Sequence, residues 1–219
     1  MATALLIAGL TVTVMNAPPR LRQQRKEETR ARIAAAAMDL FAERGFERVS
    51  VVEVAAAAGV TEKTVFNHFA TKEDLVYSGD QAFEAALLAA VRSRASGATV
   101  LAAVRTFLLD TYARGAQPRA AALAALLASS AALRVREREI LARYATRLRD
   151  QIAAEIDARP GDLRPGVAAQ SLIAVHQAVI AGYREGLLAR EPAAALDERM
   201  RTAAEQAFDL LADGLADWP

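Results

Sequence analysis

The chain has 219 residues, 53% of them hydrophobic, only 5% aromatic and 24% charged, with a formal net charge of +1. Apolar material this rich in alanine suits closely approaching helices, and there is enough of it for a real core in one large domain or two modest ones. The absence of cysteine excludes disulfides, thiolate metal sites and cysteine nucleophiles and fits a reducing cytoplasmic setting, while two histidines, His68 and His176, leave little for metal or histidine-dependent catalysis.

Residues 1–15, MATALLIAGLTVTVM, carry no Lys or Arg, so they lack the positive start of a secretory signal. Threonines and a glycine interrupt the run before the roughly 20 apolar residues of a membrane span. The expectation for residues 1–19 is a disordered extension or an over-long start, with Met15 as the natural initiator. No later stretch is apolar enough to span a bilayer, so no membrane association is expected. Residues 20–32, RLRQQRKEETRAR, hold six basic side chains against Glu27 and Glu28. All three lysines, Lys26, Lys63 and Lys72, also lie before residue 79, and beyond it arginines and carboxylates balance. An anion-binding surface is therefore expected in the N-terminal third.

From Thr29 the apolar residues Ile33, Ala36, Ala37, Leu40 and Phe41 recur at helical spacing, and Gly45 ends the run. Ser50-Val51-Val52-Glu53 reads as a capping box opening a short helix to about Ala58. Gly59 suits the left-handed turn that follows a helix. Thr61 offers the N-cap of another helix running to Phe69, and Thr71 with Asp74 resembles a further capping box opening a helix over residues 72–91. Two short helices joined by a glycine turn form a helix-turn-helix, with Ala55 at the close approach and Val60 and Val65 plugging the shared core.

Residues 29–75 as a whole resemble the TetR family of transcriptional regulators. The segments that carry the resemblance are LFAERGF at 40–46, AAAAGVT at 55–61, TVFNHF at 64–69 and KEDL at 72–75. Phe66 stands where that family more often has tyrosine, and Val51 where threonine is frequent, so two hydroxyls that donate to phosphates are missing. The resemblance implies that the helix over residues 61–69 enters a DNA major groove. At 100° per residue, Val65 and Phe69 share an inward face, and Lys63 and Asn67 point outward, flanked by Glu62, Thr64 and His68. Lysine can donate to guanine O6 and N7 or to phosphate, and asparagine can pair with adenine N6 and N7. Thr64 can touch a thymine methyl or a phosphate. Glu62 can accept from a cytosine N4 or simply favour the positive helix end.

Lys72 is expected to clamp a phosphate at the next helix start, a role the resemblance also implies. His68, between two phenylalanines, is either a packing residue or a phosphate donor. The basic arm from Arg20 to Arg32 can follow the minor groove or the backbone. The expected DNA-binding set is Ser50, Thr61, Glu62, Lys63, Thr64, Phe66, Asn67, His68 and Lys72.

Residues 80–219 read as five more helices without a strand signal, with breaks near residues 96–97, 115–118, 159–165 and 191–192. Proteins that resemble this one pair the last two helices with those of a symmetry mate in a four-helix bundle; Ala174, Ala178, Ala181 and Gly182 would let backbones approach. A short reading helix covers few base pairs, so a homodimer on a palindromic double-stranded operator supplies the affinity a regulator needs. The resemblance further implies an unknown small-molecule ligand in the bundle. The candidate lining residues are Phe107, Tyr112, Tyr144 and His176, with Phe83 and Tyr183 beside them and Arg105 or Arg184 as anion partners; each has core packing or interface as its alternative.

No Gly-rich phosphate loop, GxSxG elbow, HExxH or EF-hand spacing occurs, so catalytic and metal residues, an enzyme activity and a cofactor are not expected. Glu137 and Glu139 among Arg134, Arg136 and Arg138 read as a solvated face. The sequence therefore points to an all-α protein: a helix-turn-helix domain over 20–78 and a helical ligand-binding and dimerisation bundle over 79–219. The expected function is a ligand-responsive, DNA-binding repressor in the cytoplasm. The rival reading is a helical ligand-binding or protein-interaction protein with a degenerate DNA-reading head, kept alive by Phe66 and Glu62.

Overall fold

A computed structural model describes residues 2–7, 10–15, 21–113 and 120–214. Helix α1 spans Leu21–Arg44, α2 Val51–Ala57 and α3 Glu62–His68, followed by a 3-10 turn at Glu73–Leu75. Then come α4 Asp80–Arg92, α5 Val100–Tyr112, α6 Ala120–Ser129, α7 Ala131–Glu155, α8 Arg164–Leu188 and α9 Ala193–Asp213. The fold is all-α in its body, as expected, with a helix-turn-helix at its N-terminal end. No helix among the described residues is long and apolar enough to cross a membrane.

Four details depart from the sequence reading. Helix α1 begins at Leu21 rather than Thr29, its first turns supported by Gln23 donating to Glu27 and Gln24 to Glu28 four residues on. The helix expected over 72–91 is interrupted. Thr71 and Asp74 do form the reciprocal box, but after the 3-10 turn the buried Tyr77 donates its hydroxyl to the Leu133 carbonyl at 2.9 Å, and the chain resets at Gly79 before α4. After residue 79 there are six described helices, not five. Ser130 splits the alanine-rich stretch by capping α7, its Oγ accepting from the Leu133 amide at 3.4 Å. The break expected at 115–118 lies outside the described residues.

The fourth concerns the extension. Ala2–Ile7 (β1) and Leu10–Met15 (β2) pair antiparallel, Ala2 opposite Met15 and Ile7 opposite Leu10, and their backbones lie against α4 and α5. Residues 1–19 were expected to be a disordered extension or an over-long start; the described positions among them pair as strands. The period-two run Thr11-Val12-Thr13-Val14, rich in β-branched residues, is the signal that favours them.

One continuous apolar core runs from Ile33 and Phe41 in α1 through Leu75, Phe83, Leu108 and Leu148 to Phe208 in α9. Helices α7 and α8 pack along much of their length, and α9 closes on α8 and α5. At the α8–α9 crossing a Cβ added to Gly182 would come within 2.6 Å of Met200 Sδ, and one on Gly186 would overlap Leu196. Gly182, expected at a contact between symmetry mates, is therefore consumed by the close approach within the chain; Ala174 and Ala178 remain on the exposed side of α8.

The N-terminal helices are tied to the bundle by polar contacts. Arg136 of α7 pairs with Asp74 at 2.7 Å, and Ser130 donates to Glu47 at 2.7 Å. Arg143 reaches Asp80 at 2.6 Å and Glu84 at 2.7 Å on α4.

Candidate nucleic-acid interface

Helices α2 and α3 have seven residues each, too short to persist on propensity alone, so their ends are fixed by side chains. At α2 the Ser50 amide and hydroxyl both donate to Glu53 Oε2 at 2.8 Å, and the Glu53 amide donates to Ser50 Oγ at 3.2 Å. These bonds, followed by the Arg44 guanidinium 2.7 Å from Oε1, hold the Glu53 carboxyl down at about 2. Gly59, at φ +63°, turns the chain. Thr61 Oγ1 then accepts from the Thr64 amide at 3.2 Å and lies 2.8 Å from Thr64 Oγ1. Ala55, Val65 and Phe69 are buried as their spacing predicts, Val54 is buried with them, and Val60 is half-buried against the same core.

The opposite face of α3 is open. Glu62, Lys63, Phe66 and Asn67 are exposed, Phe66 at 48%. Beside them a groove of about 960 Å³ runs between α3 and the start of α1, lined by Gln23, Arg25, Lys26, Thr29, Thr64, Asn67 and His68. It carries two cations and no carboxylate. His68 is half-buried there with Nδ1 lacking a partner among the described residues. Burial first, then Arg30 and Lys26, lower its basicity, so its neutral form is favoured and it makes a poor phosphate clamp.

The basic arm divides in two. Arg30 stacks over the Phe69 ring at 4.0 Å, donates to the Ser78 carbonyl at 3.2 Å and to the His68 carbonyl, while Arg32 Nε donates to the Ala58 carbonyl at 3.1 Å. Both guanidiniums thus cap the carboxyl ends of α3 and α2, where partial negative charge collects. They are framework, not arm; the spacing of arginines in α1 gave no sign of which carbonyls they would meet. Arg25 and Lys26 keep facing the groove, and Arg20 lies outside the described residues. Lys72 is half-buried, its Nζ 4.3 Å from the Phe46 ring centre and 5.9 Å from that of Phe41, a cation–π seat that fixes the ammonium beside the helix-turn-helix. The hydroxyls of Ser50 and Thr61 are already engaged at helix starts, leaving Glu62, Lys63, Phe66 and Asn67 as the exposed side chains of the predicted set that carry no partner among the described residues.

In the bundle the structure brings the predicted ligand candidates together. Phe83 stacks on His176 at 4.9 Å and on Tyr144 at 5.3 Å and meets Phe107 at 5.4 Å, all measured between ring centres. Tyr112 Oη is 2.9 Å from His176 Nδ1, and Tyr144 donates to the Asp80 carbonyl at 3.0 Å. Burial pushes both tyrosine hydroxyls well above their usual range and drops His176 to about 4. The anion candidates stand elsewhere: Arg105 pairs with Asp209 at 2.7 Å and Arg184 with Glu137. Glu137 accordingly leaves the solvated face on which sequence had placed it and bridges α7 to α8. Among the described residues no cluster of three or more His, Asp or Glu could hold a metal ion.

Residues 33–77 match the family model for bacterial regulatory proteins of the tetR family. The HTH-type transcriptional regulator TcmR of Streptomyces glaucescens is 36% identical over 86 residues, 39% of this chain and 38% of TcmR. The chain therefore matches well under half the length of this relative. Over most of its length the structure is similar to a TetR-family transcriptional regulator from Syntrophomonas wolfei, with a TM-score of 0.61 at 18% identity, covering 88% of this chain and 99% of that one. It is also similar to SmeT in its complex with triclosan, with a TM-score of 0.56 at 21% identity, covering 84% and 91%. At such identities the likeness is one of fold. The head over residues 33–77 thus matches the tetR family of bacterial regulatory proteins in sequence, and most of the chain is similar in fold to TetR-family regulators.

Proposed function

We propose that the chain is a DNA-binding transcriptional regulator of the cytoplasm that acts as a homodimer on a palindromic operator. The carrying observation is the exposed face of α3: Lys63, Phe66 and Asn67, with Glu62 at its first turn, project from a doubly anchored short helix, beside a groove lined by two cations and no carboxylate. In this reading α3 enters the major groove. Asn67 meets a base edge, Lys63 a guanine or a phosphate, and Phe66 a thymine methyl or a sugar face. Arg25, Lys26 and Lys72 supply sequence-independent phosphate contacts. A second copy doubles the site, because one such helix specifies only a few base pairs.

Regulation follows from the bundle. A small molecule seated at the aromatic cluster moves α4, which carries Phe83 and is held to α7 by Asp80, Glu84 and Arg143. Helix α7 in turn grips the head through Arg136 and Asp74. Displacing this frame changes the separation of two reading helices, and the operator is released; repression by occupancy is the simplest outcome. That SmeT forms a complex with triclosan supports a ligand in this fold.

The test is a mobility shift with purified protein and the DNA flanking its own gene, in competitor DNA at two salt concentrations. Specific binding that weakens with salt is expected. A folded dimer that binds no DNA, in this assay or in a genome-wide selection, overturns the reading in favour of a binding protein with a degenerate head.

A further inference from the structure

His176 is 1% exposed, with Phe83 stacked on one side and Tyr112 lying nearly parallel at 6.1 Å. Its Nε2 has no partner among the described residues. Tyr112 Oη and His176 Nδ1, 2.9 Å apart, share one bond, and counting protons assigns its direction. If the phenol donates, the imidazole proton sits on Nε2 and a single donor is left unsatisfied. The reverse direction strands two groups, the phenol proton and a bare Nε2. The first is the cheaper state, so the buried interior presents one N–H that lacks an acceptor, which costs more than an ordinary hydrogen bond returns.

A route leads to it. Between α4 and α5 lies a groove of about 370 Å³ lined by alanines, Thr106, the half-buried Phe107 and, at its rim, Arg94 and Asp110. Phe107 separates this groove from Phe83 and so from His176. The volume falls within the range of small-molecule sites, about 300 to 1,000 Å³. Beyond Phe107 the cluster presents aromatic faces, and the arginines near the groove and the cluster are held by carboxylates, Arg94 by Glu155 at 2.7 Å, Arg105 by Asp209 and Arg184 by Glu137.

We propose that the ligand of the bundle is an uncharged aromatic molecule bearing an oxygen acceptor, which displaces Phe107, lies against Phe83 and accepts a hydrogen bond from His176 Nε2. This rests on the reading of the bundle as the ligand-binding part. Ring faces recognise the aromatic body, and the orphaned donor selects a carbonyl or ether oxygen. An anion finds no countercharge in the cluster, and a pure hydrocarbon leaves the N–H unpaired.

The test uses the full-length protein without DNA and two probes of matched shape, 2-acetylnaphthalene and 2-ethylnaphthalene, by titration calorimetry. The ketone is expected to bind on the order of tenfold more tightly. In His176→Phe the preference disappears, and in Tyr112→Phe, where the tautomer is no longer pinned, it shrinks. Should either variant fail to fold, the imidazole nitrogen resonances of the wild-type protein carry the test: a proton on Nε2 that shifts on adding the ketone is expected. Equal affinity for the two probes, binding of neither, or a proton resident on Nδ1 overturns the proposal. Because no DNA is present, such a failure leaves DNA binding to its own assay, and a failure there leaves this result standing.

Discussion

The head and the bundle keep their shape by opposite means. In the head two seven-residue helices are pinned by polar groups at their ends: Ser50 with Glu53, Thr61 with Thr64, and the guanidiniums of Arg30 and Arg32 on closing carbonyls. In the bundle, helices of up to 25 residues are held by burial of large side chains, and polar atoms inside are few. The difference teaches where chemistry resides in each. Polar end-anchoring frees a whole helix face for an external partner, whereas a buried core reveals a binding function only through the atom it leaves unsatisfied.

Truncating one aromatic in each region separates the two regimes most sharply. Phe83→Ala empties a core site that is 1% exposed and is expected to cost about 3 to 5 kcal/mol in urea unfolding. Phe66→Ala, at 48% exposure, is expected to change stability by less than about 0.5 kcal/mol while weakening DNA binding. A comparable loss of stability at both sites would break the distinction.

Acid is the next lever, and it acts on the bundle. His176 is held neutral at about 4 against an unfolded value of 6.5, so below 6.5 the unfolded chain binds the proton that the folded chain refuses. Stability therefore falls as pH drops from about 6.5 to about 4 and levels off below, a loss on the order of 3 kcal/mol at roughly 1.4 kcal/mol per pH unit. His176→Phe removes this slope. Thermal melting of both proteins across that window checks it; parallel curves would contradict the assignment.

Smaller effects belong to the head. Asn67→Ala and Lys63→Ala are each expected to cost about 1 to 3 kcal/mol of operator affinity and to relax base preference, with no change in melting. Lys72→Ala is expected to weaken binding to all DNA alike and to flatten its salt dependence. Ser50→Ala removes one cap and is expected to cost about 1 kcal/mol of stability, read by amide exchange in α2.

The head was legible in the sequence because its anchors are short-range. A serine three residues before a glutamate, a glycine after a helix and a threonine before the next are all local signals, and the structure reproduces them. Arg30 and Arg32 were misread because the carbonyls they cap lie 38 and 26 residues away, beyond any local pattern. Ser130 hid in an alanine-rich stretch where helix propensity is high on both sides. Of the two strands, Leu10–Met15 is signalled by the alternation of threonine and valine, whereas Ala2–Ile7 carries no period-two pattern of its own. In the bundle the aromatic candidates were visible as residue types, but their convergence on His176 depends on four helices meeting. That Gly182 serves α9 within the chain likewise needed the crossing itself.

The central claim is that the exposed face of α3 reads base sequence. Selection of bound duplexes from a random library, run in parallel with the wild-type protein and Asn67→Ala, tests it most directly. The account predicts that the wild type enriches a two-fold symmetric site and that the variant enriches the same half-site spacing with preference lost at one symmetric pair of positions. An unchanged motif with the variant, or no enriched motif with a folded wild-type dimer, would contradict it.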